Sequence, residues 1–169
     1  MQIHQKTIQT PLGEMIACAK DEGICLLEFT DRKNIEKQLK SLSKSLDGEI
    51  IEKDHFHFKQ LEQELKEYFE GKREIFEVPL FVKGTEFQEK VWQLLREIPM
   101  GEIRTYKQQS EFLGNPKAIR AVGTANGVNK IAILIPCHRV IGSNGELVGY
   151  AGGIWRKQKL LELEKAILF

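Results

Sequence analysis

The chain has 169 residues, 41% hydrophobic and 29% charged, which suits one ordinary domain or two small ones with a buried core and is too balanced for wholesale disorder. No apolar run approaches the roughly 18 residues of a membrane span, and Met1–Gln9 alternates polar with apolar residues instead of forming a signal core. A protein of the cell interior is expected, in the cytoplasm or, in a eukaryote, the nucleus, with no membrane partner. The formal charge of +1 conceals a division: residues 1–82 hold 12 Lys/Arg against 16 Asp/Glu, and residues 83–169 hold 13 against 8. Balances of −4 and +5 point the second half toward a polyanion.

Residues 2–30 alternate around Ile3, Ile8, Met15, Ile16, Ile24, Leu26 and Phe29, punctuated at Pro11-Leu12-Gly13 and Asp21-Glu22-Gly23. This spacing predicts an antiparallel meander of about three strands. Ile35, Leu39, Leu42 and Leu46 then fall at helical intervals, as do Phe58, Leu61, Leu65, Tyr68 and Phe69 before Gly71. Ile75–Val82, broken by Pro79, reads as an extended connector, and a domain boundary is expected near residue 82.

The second half opens on Thr85-Glu86-Phe87-Gln88, a capping box, and its helix ends at Pro99. A helix over about Tyr106–Leu113, a Gly114-Asn115-Pro116 turn and a helix over about Pro116–Ala125 make a helix-turn-helix pattern. The second of these helices is rich in small residues (Ala118, Ala121, Gly123, Ala125), with Arg120 projecting. Small side chains serve tight helix packing or close approach to a nucleic-acid groove. Residues 103–156 hold seven Lys/Arg and two Glu, which favours phosphate contact.

The chemistry gathers after this motif. Ile131–Ile135 reads as a short strand running into Pro136-Cys137-His138-Arg139. An imidazole and a guanidinium favour the thiolate, the reactive form of a cysteine. In a regular strand Cys137 and His138 would point to opposite faces, so a turn or a bridging water is required. Glu164, with Leu160 and Leu161 before it and Ile167 and Leu168 after it, centres on the apolar stripe of a helix over about Trp155–Ile167. A carboxylate there is buried and needs partners. It serves either to orient the base or to pair with a nearby Lys or Arg. Residues 142–153 hold five of the 14 glycines around Tyr150, without a phosphate-cradle pattern. Cys18 and Cys25 lie in apolar stretches and read as core residues. With three cysteines, no zinc-ligand spacing and histidines only at 4, 55, 57 and 138, neither a disulfide framework nor a metal site is expected.

Pro136-Cys137-His138-Arg139-Val140 resembles the signature of the methylated-DNA–protein-cysteine methyltransferases, the O6-alkylguanine-DNA alkyltransferases. The resemblance extends through the Phe87…Val91-Trp92 helix, Gly101…Thr105-Tyr106, Asn115-Pro116-Lys117-Ala118…Arg120-Ala121-Val122-Gly123, Gly149-Tyr150-x-Gly152-Gly153 and Leu160-Leu161-x-x-Glu164. It covers essentially all of residues 83–168; residues 1–82 match in size and strand-then-helix order alone.

That resemblance implies a mixed α/β (α+β) fold. Residues 1–82 would be a support domain, with a three-stranded antiparallel sheet and helices. Residues 83–169 would be a winged-helix-like, DNA-binding and alkyl-accepting domain. The implied activity is single-turnover transfer of an alkyl group from O6 of guanine, with O4 of thymine as a second target, in double-stranded DNA to Cys137, by a monomer without cofactor or metal. His138 would deprotonate Cys137 through water, Glu164 would orient His138, and Asn129 would be the hinge joining the DNA-binding helices to the active turn. Tyr106 would contact and protonate the leaving base, and Arg120 would enter the duplex from the minor groove in place of the extruded nucleotide. Lys107, Asn115, Ala121 and Ser143 would join Tyr106 and Arg120 on the DNA. Carbonyls of Cys137 and Val140, the Tyr150 loop and the backbone N–H near Ala151 would hold the base. Two residues depart from the pattern: Lys130 follows Asn129 where the family usually has Pro, and Ala151 stands where some relatives have Ser. A non-catalytic lesion binder is the alternative reading, set against the presence of Cys137. A helix-turn-helix transcription factor would read base edges with longer polar side chains, and a cysteine hydrolase would turn over.

Overall fold

In the computed structural model, which describes residues 1–166, Gln2–Thr10 (β1), Gly13–Lys20 (β2) and Gly23–Phe29 (β3) form the antiparallel meander. A fourth strand, Glu49–Glu52 (β4), pairs in parallel with β1 through Ile3 and Ile50, giving the order β3-β2-β1-β4. Four residues between two helices are too few to display a period, so β4 was not legible in the sequence. The helices Ile35–Leu46 (α1) and Phe56–Phe69 (α2) arise where the apolar spacing predicts them. Leu42 of α1 packs with Ile3, Ile16, Cys18 and Leu26, and Leu39 and Leu46 flank it. Phe58, Leu61 and Leu65 of α2 are buried, and α2 contacts β1, β2 and β3. With helices drawing on both sets of alternating residues, β3 is buried along its whole length.

The histidines of this unit do structural work. His55 caps α2, its Nδ1 accepting from the His57 backbone N–H at 3.2 Å. Asp21 then engages both rings, at 3.0 Å from His55 and, through its carbonyl, 2.8 Å from His57. Among the described residues no group of three or more His, Cys, Asp or Glu is arranged to hold a metal ion. The connector is fastened at both edges. The Glu64 carboxylate accepts from the backbone N–H groups of Glu77 and Val78 at 2.9 and 3.1 Å. Ile24 in turn exchanges backbone bonds of 2.8 Å with Pro79 and Phe81. Proline is tolerated there because only its carbonyl is used.

Contacts divide the chain into two units, Met1–Val82 and Lys83–Phe169. The second begins with Glu86–Arg96 (α3), whose capping box is made by Thr85 and Gln88. Trp92 of α3 is buried and donates from Nε1 to the Ala125 carbonyl at 2.9 Å. Arg104–Thr105 (β5) leads into Tyr106–Phe112 (α4), again through a capping box, between Thr105 and Gln108. The next helix, Ile119–Gly127 (α5), starts three residues later than the Pro116 start expected from sequence. The reason is local: Asn115 folds its own turn, its side chain accepting from Lys117 N–H and its carbonyl from Ala118 N–H. Val140–Ile141 (β6) pairs in parallel with β5, Arg104 opposite Val140 and Thr105 opposite Ile141. Ile154–Leu163 (α6) ends with Glu164 as its C-cap. The expected continuation through Ile167 and Leu168 lies outside the described residues. Among those described, no helix is long and apolar enough to cross a membrane.

Candidate active site

The strand expected over Ile131–Ile135 is a turn instead. Ile135 N–H bonds back to the Ile131 carbonyl and Leu134 N–H to that of Ala132, which consumes the groups a strand would offer a neighbour. Ile133 sits at φ 71°, a left-handed conformation that a β-branched residue adopts at a cost of about 1–3 kcal/mol. Burial of Ile131, Ile133 and Ile135 offsets that strain. Cys137–Arg139 then forms one turn of 3-10 helix. The opposed directions that a strand would impose on Cys137 and His138 do not arise.

Asn129 ties this loop together. Its Nδ2 donates to the Ile135 carbonyl at 2.8 Å, with Ile131 O and Cys137 Sγ each at 3.3 Å, and its Oδ1 accepts from Ile131 N–H at 3.0 Å. The side chain is buried and spans from the end of α5 to the thiol. Lys130 donates its ammonium to the Lys83 carbonyl and leaves these bonds intact.

His138 is fully buried, and its Nε2 lies 2.8 Å from Glu164 Oε2. Arg139 closes on the same carboxylate, Nε to Oε1 at 2.8 Å and Nη2 to Oε2 at 3.0 Å, while its Nη1 donates to the Ile98 carbonyl at 2.7 Å. Burial alone would raise the Glu164 pKa; the electrostatic pull of His138 and Arg139 and the hydrogen bonds of both outweigh it and hold the carboxyl well below the usual carboxylate range. An ionised carboxylate only accepts, so the imidazole proton stands on Nε2. The His138 pKa is lowered, by burial first and by Arg139 and Lys157 in addition, against the pull of Glu164. A neutral ring with its proton on Nε2 presents Nδ1 as a lone pair, and Nδ1 has no hydrogen-bond partner among the described residues. The two readings of Glu164, orienter of the base and partner of an arginine, both hold geometrically at one carboxylate.

Pairing of β5 with β6 places Tyr106, the first residue of α4, beside this turn. Its hydroxyl donates to the Val148 carbonyl at 3.2 Å, and Gly149 and Gly123 both stand against it: a Cβ at either would lie within 3.8 Å of the hydroxyl or 4.0 Å of the ring, respectively. Burial pushes the phenol pKa up to about 12, the charge of Cys137 adds to the rise and the Asn126 amide offsets part of it. The hydroxyl therefore keeps its proton at neutral pH.

Lys157 was missed from the sequence, although it lies seven residues before Glu164 and so shares its helix face. It is fully buried, and its ammonium donates to the Val148 and Gly149 carbonyls at 2.8 and 3.4 Å. Burial lowers its pKa to about 8, against the opposing charge of Cys137. Lys157 is thus a cation at pH 7 that favours the thiolate and loses that influence as pH rises through about 8. Replacing it with Met is expected to slow iodoacetamide alkylation of Cys137 at pH 7 by about tenfold. The gap from wild type should close above pH 9; a pH series of alkylation rates checks it.

Lys107, Asn115, Arg120, Ala121, Ser143 and Ala151 are exposed, whereas Val140 is buried and Tyr150 half-buried. Arg120 and Ala121 occupy the outer face of α5, while Val122, Ala125 and Asn126 form its inner one. The structure thus gathers Cys137, His138, Glu164, Asn129 and Tyr106 in one place, adds Arg139 and Lys157, and leaves the residues assigned to DNA on the surface of the same unit.

Comparison with known proteins covers nearly all of the chain. Residues 3–82 match the model of the 6-O-methylguanine DNA methyltransferase ribonuclease-like domain, and residues 86–166 that of its DNA-binding domain. A methylated-DNA–protein-cysteine methyltransferase of Methanosarcina acetivorans is 43% identical over 157 residues, 92% of this chain and 94% of the relative. The constitutive enzyme of that name from Bacillus subtilis is 41% identical over 160 residues, 94% and 93%. A crystal structure of Mycobacterium tuberculosis OGT in complex with DNA superposes with a TM-score of 0.82 at 39% identity, covering 96% of this chain and 93% of that one. With both of its units matched in order and two-fifths of its residues shared with these relatives, the chain belongs to the 6-O-methylguanine DNA methyltransferase family.

Proposed function

We propose that this chain, a methylated-DNA–protein-cysteine methyltransferase by kinship, takes a methyl or other alkyl group from O6 of guanine in double-stranded DNA onto Cys137, once and irreversibly, as a monomer. The observation that carries the reading is a thiol on a tight turn, bound by Asn129 at 3.3 Å and followed by an imidazole that Glu164 orients from 2.8 Å. His138 Nδ1 takes the Cys137 proton through a bridging water, and Glu164 stabilises the imidazolium that results. The thiolate attacks the alkyl carbon. The carbon–O6 bond breaks with its electron pair going to the guanine, which takes up a proton as Tyr106 donates toward it. The thioether has no onward reaction, so the protein is consumed.

A paired guanine cannot present O6 to a thiol held inside a protein, so the nucleotide is everted, at a cost of a few kcal/mol. Small residues on the outer face of α5 allow approach along the minor groove, where readout is nearly blind to sequence. Arg120, exposed on that face, fills the place of the extruded nucleotide; Lys107, Asn115, Ala121 and Ser143 contact the backbone. Carbonyls of Cys137 and Val140 accept from the exocyclic amine, and the Tyr150–Ala151 backbone faces O6. O4-methylthymine, which offers a similar alkyl ether, is a second substrate on this reading.

Mass spectrometry after incubation with methylated duplex tests the proposal: one methyl group per molecule, on the peptide carrying Cys137, is expected. Steady product in excess over protein would instead indicate a hydrolase. Arg120→Ala is expected to slow repair of duplex DNA by about tenfold or more while leaving the reaction with free O6-alkylguanine base nearly unchanged. Equal slowing on both substrates would remove Arg120 from base eversion.

A further inference from the structure

Asn126 is a buried polar group that the reaction described above does not use. It lies on the inner face of α5 at 6% exposure, and neither its Oδ1 nor its Nδ2 meets a hydrogen-bond partner at acceptable geometry among the described residues. Buried amides are satisfied in the large majority of cases, and one that is not marks a group waiting for a partner. Its surroundings name that partner. Gly123, one helical turn earlier on the same face, lies against the Tyr106 ring. The Asn126 amide itself stands beside the Tyr106 phenol. The phenol proton is at present committed to the Val148 carbonyl at 3.2 Å, and the phenol oxygen keeps its lone pairs for a donor. The backbone of Asn126 is anchored independently, its carbonyl accepting from Asn129 N–H at 3.2 Å. The same helical end therefore carries the hinge to Cys137 and the amide beside Tyr106.

We infer that Asn126 is a positioning residue for the Tyr106 hydroxyl, its amide N–H donating to the phenol oxygen when that hydroxyl turns from Val148 to the purine held at Cys137. The inference rests on the methyltransferase reading. A phenol that gives its hydrogen toward a departing purine gains negative charge on oxygen, and a donor placed there in advance stabilises that charge without reorganisation. Only a residue fixed on a helix, rather than on the glycine-rich loop that carries Val148 and Gly149, holds its place while the hydroxyl changes partner.

The test compares wild type, Asn126→Ala, Tyr106→Phe and the double variant of the full chain. Two rates are measured on each: methyl transfer from O6-methylguanine duplex, and alkylation of Cys137 by iodoacetamide, whose leaving iodide needs no proton. Asn126→Ala is expected to slow methyl transfer about tenfold or more, with iodoacetamide alkylation within about twofold of wild type. In the Tyr106→Phe background the same substitution should cost less than about twofold. Unchanged methyl transfer in Asn126→Ala, equal slowing of both reactions, or full slowing in the Tyr106→Phe background would each overturn the inference. Should Asn126→Ala fail to fold, Asn126→Leu supplies the same comparison. A wild-type protein that takes no methyl group would overturn the methyltransferase reading itself, an outcome separate from any difference among the variants.

Discussion

Glu164→Gln is expected to destabilise the protein by about 3–5 kcal/mol and to slow methyl transfer by about 10²–10⁴-fold. The carboxylate is 4% exposed and neutralises a guanidinium through bonds of 2.8 and 3.0 Å. An amide of the same shape leaves the Arg139 charge buried without a counter-charge. It also presents Arg139 with an N–H where an acceptor stood. The loss in rate has a separate cause. Arg139 draws the amide oxygen to itself, which turns the amide N–H toward His138 Nε2. An imidazole that must accept at Nε2 carries its proton on Nδ1 and can no longer take one from Cys137.

The pH dependence distinguishes the two effects. The Glu164 pKa is depressed in the fold, so its stabilisation is complete above the unfolded carboxylate value of about 4.3 and is lost as pH falls through the folded value. The lowered His138 pKa acts in the same direction, its contribution fading as pH falls below about 6.5. Wild type and Glu164→Gln should therefore differ by about 10 °C in melting temperature at neutral pH, and the gap should narrow as pH falls below about 4. Calorimetry across the range from pH 3 to pH 7 measures this, and a constant gap would count against the charge assignment.

Cys137→Ala should abolish methyl transfer altogether and leave DNA affinity within about twofold of wild type. Nucleophilic transfer has no substitute for the sulfur, whereas affinity for the duplex comes mostly from cations meeting phosphates. Lys107 and Arg120 are exposed on the helix-turn-helix, whereas the thiol is half-buried. Binding titrations at several salt concentrations should return the same log–log slope for both proteins. A variant that still acquired a methyl group would place the acceptor elsewhere; one that lost DNA binding would mean that Cys137 supports the surface rather than the chemistry.

The parts of this protein legible in its sequence are those with a short-range period. Alternation of apolar residues announces β1 to β3, and spacing of three and four announces α1, α2 and α3. The same spacing places Glu164 beside Leu160 and Leu161 and makes its burial foreseeable. The Thr-x-x-Gln box before α3 is a local device, as is its counterpart before α4, which was overlooked because β5 is only two residues long. Lys157 was equally legible: counting back two turns from Glu164 reaches it. The strand expected over Ile131–Ile135 fails for the opposite reason. A run of apolar residues fits a buried strand or a buried turn, and here the Asn129 side chain and two backbone bonds select the turn.

By itself the sequence determined the order of elements, the buried faces of the helices, the basic character of residues 83–169 and, through its resemblance, the reacting thiol and its neighbours. The tertiary structure alone decided that Arg139 shares the Glu164 carboxylate with His138, that Ile98 receives the third arm of that guanidinium, and that Tyr106, Asn126, Val148 and Lys157 converge. Spacing within one helix or strand is repeated in every window of the chain, so it can be read locally. Which carbonyl or amide meets a side chain 40 residues away depends on how turns reverse the chain, and no window contains both partners.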